Sequence, residues 1–327
     1  MTITDRVYGQ FKIAEPVLLA LLKSTAVLRL KRIDQFGLPS ELYHLKGFSR
    51  YEHSVGVMLL LRRLGARLEE QIAGLLHDVS HTAFSHVVDW VIGDSTKEDY
   101  QDNNHERLVR NSDIPEILKK YGFAITTAID MHMYSLLERE APDLCADRVD
   151  YTLRELSYLG MDSPVRDCLS GLRVFDGKLI FTGKTTAKCF AFAYAKRQKE
   201  HWGGYEAVLR FELFSRALKL ALEEGTIVLA DFETDDQAVY TKLKQSSTME
   251  IRELLRVLAH PLTERVIKKY LHSTKRKKFR FVDPEYLEGG RLIRLSSVDA
   301  RYQNILRNER NRSPIESDFR QLAESSD

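Results

Sequence analysis

The sequence predicts a mainly α-helical protein with one short β-hairpin and a small α/β portion towards its C-terminal end. Three observations carry that reading. Apolar residues recur at three- and four-residue spacings through most of residues 16–258. An Asp-Gly pair, Asp176-Gly177, lies between two short apolar runs, Leu172 to Phe175 and Lys178 to Phe181. The run Lys275-Arg276-Lys277-Lys278-Phe279-Arg280-Phe281 is basic and aromatic and reads as an edge strand.

Taken in order, residues 16–33 are expected to form a helix and a following turn. Val17, Leu18, Leu21 and Leu22, then Val27, Leu28, Leu30 and Ile33, lie at helical spacings, and Gln35-Phe36-Gly37-Leu38-Pro39 ends the pattern. A helix over residues 50–67 puts Val57, Leu60, Leu61 and Leu64 on one face. The next, residues 69–79, has Ile72, Leu75 and Leu76 as its buried stripe, with His77 and Asp78 at its C-terminal end. Residues 83–92 are expected to be helical, with His86 and Asp89 three apart and therefore on one face. The polar, acidic residues 93–104 are expected as a surface loop, and His105 opens the next helix. Helices over 115–120, 125–137 and 142–158 follow, the last carrying Asp147, Asp150 and Tyr151.

The texture changes after Gly160, which divides the chain into residues 1–165 and an extension over 166–327. Beyond the hairpin, helices are expected across 186–223, from Gln237 behind an Asp235-Asp236 cap, and over 249–258. The tail from Asn308 is polar.

Composition narrows the class. A chain of 327 residues, 43% hydrophobic and 29% charged, has a globular rather than a disordered composition. The formal charge of +2 sets up no global field for nucleic acid, so any such contact rests on a local patch such as Lys275 to Arg280. Three widely spaced cysteines, Cys145, Cys168 and Cys189, without a CxxC, suggest neither a disulfide framework nor a zinc knuckle. The N-terminal residues lack the apolar core of a signal peptide, and the run 16–30 is interrupted by Lys23 and Arg29. A cytoplasmic protein without membrane association is expected.

The chemistry concentrates in Gly74 to Asp89, where His77, Asp78, His81, His86 and Asp89 fall within thirteen positions. Imidazole and carboxylate together suit divalent iron, manganese, nickel or zinc. Adjacent residues on a helix diverge by about 100°, so His77 and Asp78 can reach one ion only from a helix end. The apolar stripe stops at that point.

The surrounding motifs extend the pattern. Arg50-Tyr51-Glu52-His53 lies upstream, His105-Glu106 and Asp147-Arg148-Val149-Asp150-Tyr151 downstream, and Asp5-Arg6-Val7-Tyr8-Gly9 and Arg29-Leu30 through Gln35-Phe36-Gly37 precede them all. In this order the chain resembles the HD-domain metal-dependent phosphohydrolases, and within them the deoxynucleoside-triphosphate triphosphohydrolase branch. The resemblance is strong over residues 5–160 and weaker through Thr234-Asp235-Asp236 and 278–283. It implies an HD-domain helical fold and hydrolysis of a dNTP to deoxynucleoside and triphosphate. It also implies that His53, His77, Asp78 and Asp147 bind one divalent ion, magnesium being a further candidate.

On the same resemblance His81, His86, Asp89 and His105 line the phosphate path. His86, oriented by Asp89, is nominated as general acid because imidazole has a suitable pKa; His81 and His105 bind or polarise phosphates. Arg50, Arg148 and Tyr151 correspond to contacts with phosphate and sugar, where the Tyr151 ring against C2′ would disfavour a ribose hydroxyl. Gln35 and Phe36 correspond to the sugar-and-base wall. Lys196 or Arg197 stands where the family has an arginine, and Gly203-Gly204 where it has bulk. His44, His132, His201, His260 and His272 are read as structural.

A nucleotide is thus the expected partner, with a homo-oligomer as a further one. Two other readings compete. The same site can serve a nucleoside mono- or diphosphate or an alarmone-like nucleotide, or a catalytically quiet HD protein can bind nucleotide or nucleic acid as a sensor.

Overall fold

The computed structural model describes residues 1–270 and 277–311. Most of the expected elements are present. Helices Arg50–Arg63 and Leu68–Leu76 pack against each other, and Ala146–Tyr158 packs on the first. The hairpin forms as expected, with strands Leu172–Phe175 and Lys178–Phe181 in register Leu172↔Phe181. Asp176 and Gly177 both take positive φ, 49° and 67°, as a tight two-residue turn requires.

Among the described residues two large hydrophobic clusters fill the protein, beside a small third one of Ala191, Leu295 and Tyr302. One joins the Arg50–Arg63, Leu68–Leu76 and Ala146–Tyr158 helices to the N-terminal residues and to Phe181, Phe190 and Tyr194. The other gathers Phe84, Val87 and Trp90 beneath helices Tyr205–Glu223 and Met249–Leu258. The His-Asp turn runs between the two. No helix among the described residues is long and apolar enough to cross a membrane.

Several expectations are corrected. The first helix divides into Pro16–Leu21 and Thr25–Arg29, because Ser24 turns its hydroxyl onto Val27 N and caps a new start. The expected loop at 93–104 gives way to a helix, Tyr100–Arg110, whose first amide donates to Asp89 Oδ1 at 3.0 Å. That cap comes from another segment and leaves no local signal. Residues 125–137 hold one helical turn, Thr126–Ile129, and a 3₁₀ turn, Met131–Met133, rather than a helix.

The expected helix over 186–223 is broken. Lys184–Arg197 passes into a π turn, Gln198–Trp202, and Tyr205–Glu223 starts after Gly203-Gly204. The basic run is not an edge strand. Lys277 to Pro284 has no sheet partner and crosses the cavity described below, while Lys275 and Arg276 lie outside the described residues. The strands that do form near the C-terminal end are Glu285–Glu288 and Arg291–Arg294, and they complete a four-stranded sheet on the earlier hairpin.

Candidate active site

His53 sits on the first full turn of Arg50–Arg63, a helix started by a Ser49–Glu52 capping box. It is buried, with Nδ1 2.8 Å from Asp150 Oδ2 and Nε2 2.9 Å from Asp147 Oδ1. His77 is the C-cap of Leu68–Leu76, the helix end its adjacency to Asp78 demanded. Its Nδ1 lies 2.8 Å from Gly74 O, its own preceding turn. That leaves His77 Nε2 pointing forward, 3.3 Å from His53 Nε2 and 3.6 Å from Asp147 Oδ1. Asp78 closes the group, Oδ1 3.5 Å from His77 Nε2 and Oδ2 3.8 Å from His53 Nε2.

His53, His77 and Asp147 bring their ligand atoms within 4.8 Å of one another and could hold a divalent cation, with Asp78 at the edge of the group. The rear nitrogen of each imidazole is engaged by a carboxylate or a backbone carbonyl, the arrangement that fixes the front nitrogen as a ligand. Charge tells the same story. Burial works against an imidazolium at His53, yet hydrogen bonds with Asp147 and Asp150 outweigh it and raise the ring to about 9. Burial likewise opposes the Asp147 carboxylate, and His53 and His77 hold it far below the usual range. The surrounding carboxylates thus favour positive charge at this cluster. A second group, Glu138, Cys145 and Asp147, also has ligand types within reach. Its centre is filled by Arg148, 3.1 Å from Cys145 Sγ and 3.2 Å from Glu138 Oε1.

Behind the four donors runs a buried chain of support. Asp150 is held by Arg154 Nη2 at 2.9 Å, and Arg154 Nη1 reaches Asp5 at 2.9 Å. Asp5 in turn accepts the amides of Val7 and Tyr8, so the N-terminal hairpin turn anchors the rear of the site. Gly56, three residues after His53, makes room for this pair. A Cβ there would run into the Arg154 guanidinium and the Asp150 carboxylate. No local spacing in the sequence signals these roles of Asp150, Arg154 and Gly56.

The loop after Asp78 is clamped from three sides. Arg29 donates to Val79 O, His81 O and Thr234 O. Arg50 Nη1 binds Asp78 Oδ2 at 2.7 Å while its Nε binds Ser85 Oγ at 2.8 Å. Asp236 accepts Phe84 N on one oxygen and Asp34 N on the other, at 2.7 and 2.8 Å. The clamp holds Phe84 and Ser85 at positive φ, 64° and 48°, a conformation side-chain-bearing residues rarely adopt. Asp235 caps its helix as expected, whereas Asp236 is turned inward to this task.

In front of the donors opens a cavity of about 610 Å³. His77, Asp78, Asp147, His81, His86 and His105 line one end, and Gln35, Phe36, Arg50, Arg148 and Tyr151 also face it. His81 Nε2 stands 3.3 Å from Asp78 Oδ1, and its ring meets His86 edge-on at 5.0 Å. His86 Nδ1 is 3.3 Å from Asp89 Oδ2. Burial, then the charges of His81, Arg280, Arg50 and Lys277, push His86 well below the usual imidazole value, so the ring is neutral in the resting site. His105 has both nitrogens engaged, with Ser80 Oγ and Ala128 O at 2.8 Å each, which leaves neither free for a phosphate.

Lys196 is not brought to the cavity. Its ammonium is exposed beside Glu200, while the neighbouring Arg197 turns inward to Glu155 and Glu200. The far wall is built instead around Glu155, Trp202 and Tyr43 and around His201, which the sequence suggests as structural, together with the expected Phe36 and Tyr151. Glu155 accepts His201 Nδ1 and Trp202 Nε1 at 2.7 Å each, and His201 Nε2 meets Tyr43 OH at 2.8 Å. Phe36 packs edge-on against His201, and Tyr151 against Trp202. His132 also reaches the cavity. The π turn at Gln198–Trp202 is what aims His201 and Trp202 here.

This geometry has relatives. Residues 50–155 match the model of the HD domain. YdhJ, an uncharacterized protein of Bacillus subtilis, is 39% identical over 93% of this chain and 94% of its own. The metal-dependent phosphohydrolase cns2 of Cordyceps militaris is 32% identical over 77% of this chain and 76% of its own. The deoxynucleoside triphosphate triphosphohydrolase SAMHD1 of Gallus gallus is 21% identical over 87% of this chain and 58% of its own. The buried His/Asp cluster and the likeness to cns2 together mark the chain as a metal-dependent phosphohydrolase. The chain belongs to the HD-domain family of metal-dependent phosphohydrolases.

Proposed function

We propose that the protein hydrolyses a nucleotide phosphoester at this cavity, with a dNTP as substrate and deoxynucleoside and triphosphate as products. The meeting of His77, Asp78 and Asp147 at one end of a cavity with an aromatic far wall, with buried His53 directly behind them, carries the reading. The ordered motifs of residues 5–160 and the distant likeness to SAMHD1 support the triphosphate.

These four residues would hold the divalent ion, which when bound supplies Lewis acidity at the phosphoryl group and makes water a better nucleophile near neutral pH. Arg50 holds Asp78 in place and presents the remainder of its guanidinium to the cavity. His86 is neutral until substrate arrives. The negative charge of the phosphates then raises its affinity for a proton, which it passes to the departing 5′-oxygen while Asp89 fixes the ring. Phe36 and the Tyr151–Trp202 pair exclude water and stack the base and sugar.

A nucleoside monophosphate is a second reading, favoured by one observation. Four arginines of the cavity wall are already paired, Arg50 with Asp78, Arg139 with Asp143, Arg148 with Glu138 and Arg280 with Glu98. A wall so neutralised suits an ester of low charge. Metal analysis of the purified protein, then product identification across dNTPs, NTPs and monophosphates, decides. Triphosphate released from a dNTP supports the first reading, orthophosphate from a monophosphate the second. A metal-loaded protein that turns over none of them sinks both.

A further inference from the structure

Lys277 differs from the other cations of the cavity. Its side chain is half-buried and lines the cavity, yet no carboxylate of the described residues lies within ion-pair distance of its ammonium. The ammonium rests instead on the Phe211 ring, 3.5 Å from the centroid. A cation taken out of bulk water and left on an aromatic face is incompletely compensated. Lys278, by contrast, is exposed.

The segment that carries Lys277 is fixed in place. Arg280 pairs with Glu98, itself buried, and its backbone amide donates to Gln198 Oε1 at 3.2 Å. Asp283 N donates to Pro142 O at 2.8 Å, and Tyr302 OH to Val282 O. The run therefore spans from the Glu98 loop to the π turn. Lys277 lies within electrostatic reach of both His86, beside the donors, and His44, next to Tyr43 on the aromatic wall.

We propose that Lys277 is a substrate-binding residue whose ammonium contacts the phosphate group of the substrate directly. The inference rests on the proposed use of this cavity for a phosphoester. It makes the strap over 277–283, rather than the helix bearing Lys196, the source of the cation that completes the site. An arriving phosphate gives the ammonium the anionic partner it lacks while Phe211 holds the lysine stem.

The test compares wild type, Lys277→Met and Lys277→Arg. Inorganic orthophosphate and pyrophosphate binding is read by calorimetry, and KM and kcat are measured on whichever nucleotide the wild type hydrolyses. A charge-assisted contact of ordinary strength predicts that Lys277→Met weakens pyrophosphate binding and raises KM by roughly 10- to 100-fold, the loss falling on KM more than on kcat. Lys277→Arg recovers part of it. Metal content and melting midpoint of the methionine variant stay at or above wild type, since a cation with no carboxylate partner has been removed. Anion binding and KM unchanged in Lys277→Met overturn the proposal, as does a wild type that binds neither anion. Because anion binding needs no turnover, an incorrect choice of nucleotide substrate leaves this test readable.

Discussion

Replacing Gly56 by alanine tests the support behind the metal donors against a simple expectation of the opposite sign. In the middle of Arg50–Arg63, helix propensity alone predicts a gain of about 0.5–1 kcal/mol from Gly to Ala. The structure predicts a loss. The added Cβ would fall on the Arg154 guanidinium and Asp150 carboxylate, 1% and 0% exposed, which have no solvent to retreat into. Overpacking costs about 1–3 kcal/mol, and forcing a buried pair apart about 3–5 kcal/mol where the charges part fully. Partial relaxation leaves a net loss of about 2–4 kcal/mol. For a chain of 327 residues the unfolding entropy makes 1 kcal/mol worth roughly 1.5 °C, so the melting midpoint should fall by about 3–6 °C. Asp150 also holds His53 Nδ1, and a displaced support of this kind lowers metal affinity by about 10- to 100-fold. Scanning calorimetry and elemental analysis on the same preparation read both effects. A variant that melts higher and carries a full complement of metal refutes the argument.

Other outcomes follow from the same geometry. Asp78→Ala removes a donor and the partner of buried Arg50, and should abolish both metal content and hydrolysis; unchanged turnover would remove the four-residue site from consideration. His86→Ala should retain metal but lose about 10²–10⁴-fold in kcat, and a full-rate variant ends its role in proton transfer. Asp236 gives a pH dependence. Burial raises its carboxyl to about 7 although two backbone amides oppose the shift. Its folded value lies above the unfolded one near 4, so its stabilising contribution is complete below about pH 4 and is lost as pH rises through 7. The stability gap between wild type and Asp236→Asn, from urea titrations, should narrow by about 2–4 kcal/mol from pH 5 to 8. A gap that widens with pH contradicts the assignment.

The sequence alone carried the helical fold class, the hairpin and the principal motif, because these are written in short-range spacing. Ile72, Leu75 and Leu76 mark the buried stripe of a helix, and the stripe stops where His77 and Asp78 must leave it to share a ligand. Asp176-Gly177 specifies its own turn. The pairing of His53 with Asp147 needed the whole ordered motif set, since 94 positions separate them.

What the tertiary structure decided is how that motif is held and walled. Asp150 accepts from His53 across 97 positions, Asp236 clamps Phe84 across 152 and Asp34 across 202, and none of these pairs has a local spacing to betray it. The π turn at Gln198–Trp202 sends Arg197 and His201 inward and leaves Lys196 in solvent, a choice that regular helical periodicity cannot make. The run Lys277 to Phe281 has the composition of a solvated strand and became a strap over the cavity, because Glu98 and Gln198 supply the partners for Arg280. Local sequence set which residues could be helices and ligands; which of them meet was fixed by burial of charge, where each buried group must find its partner wherever in the chain that partner lies.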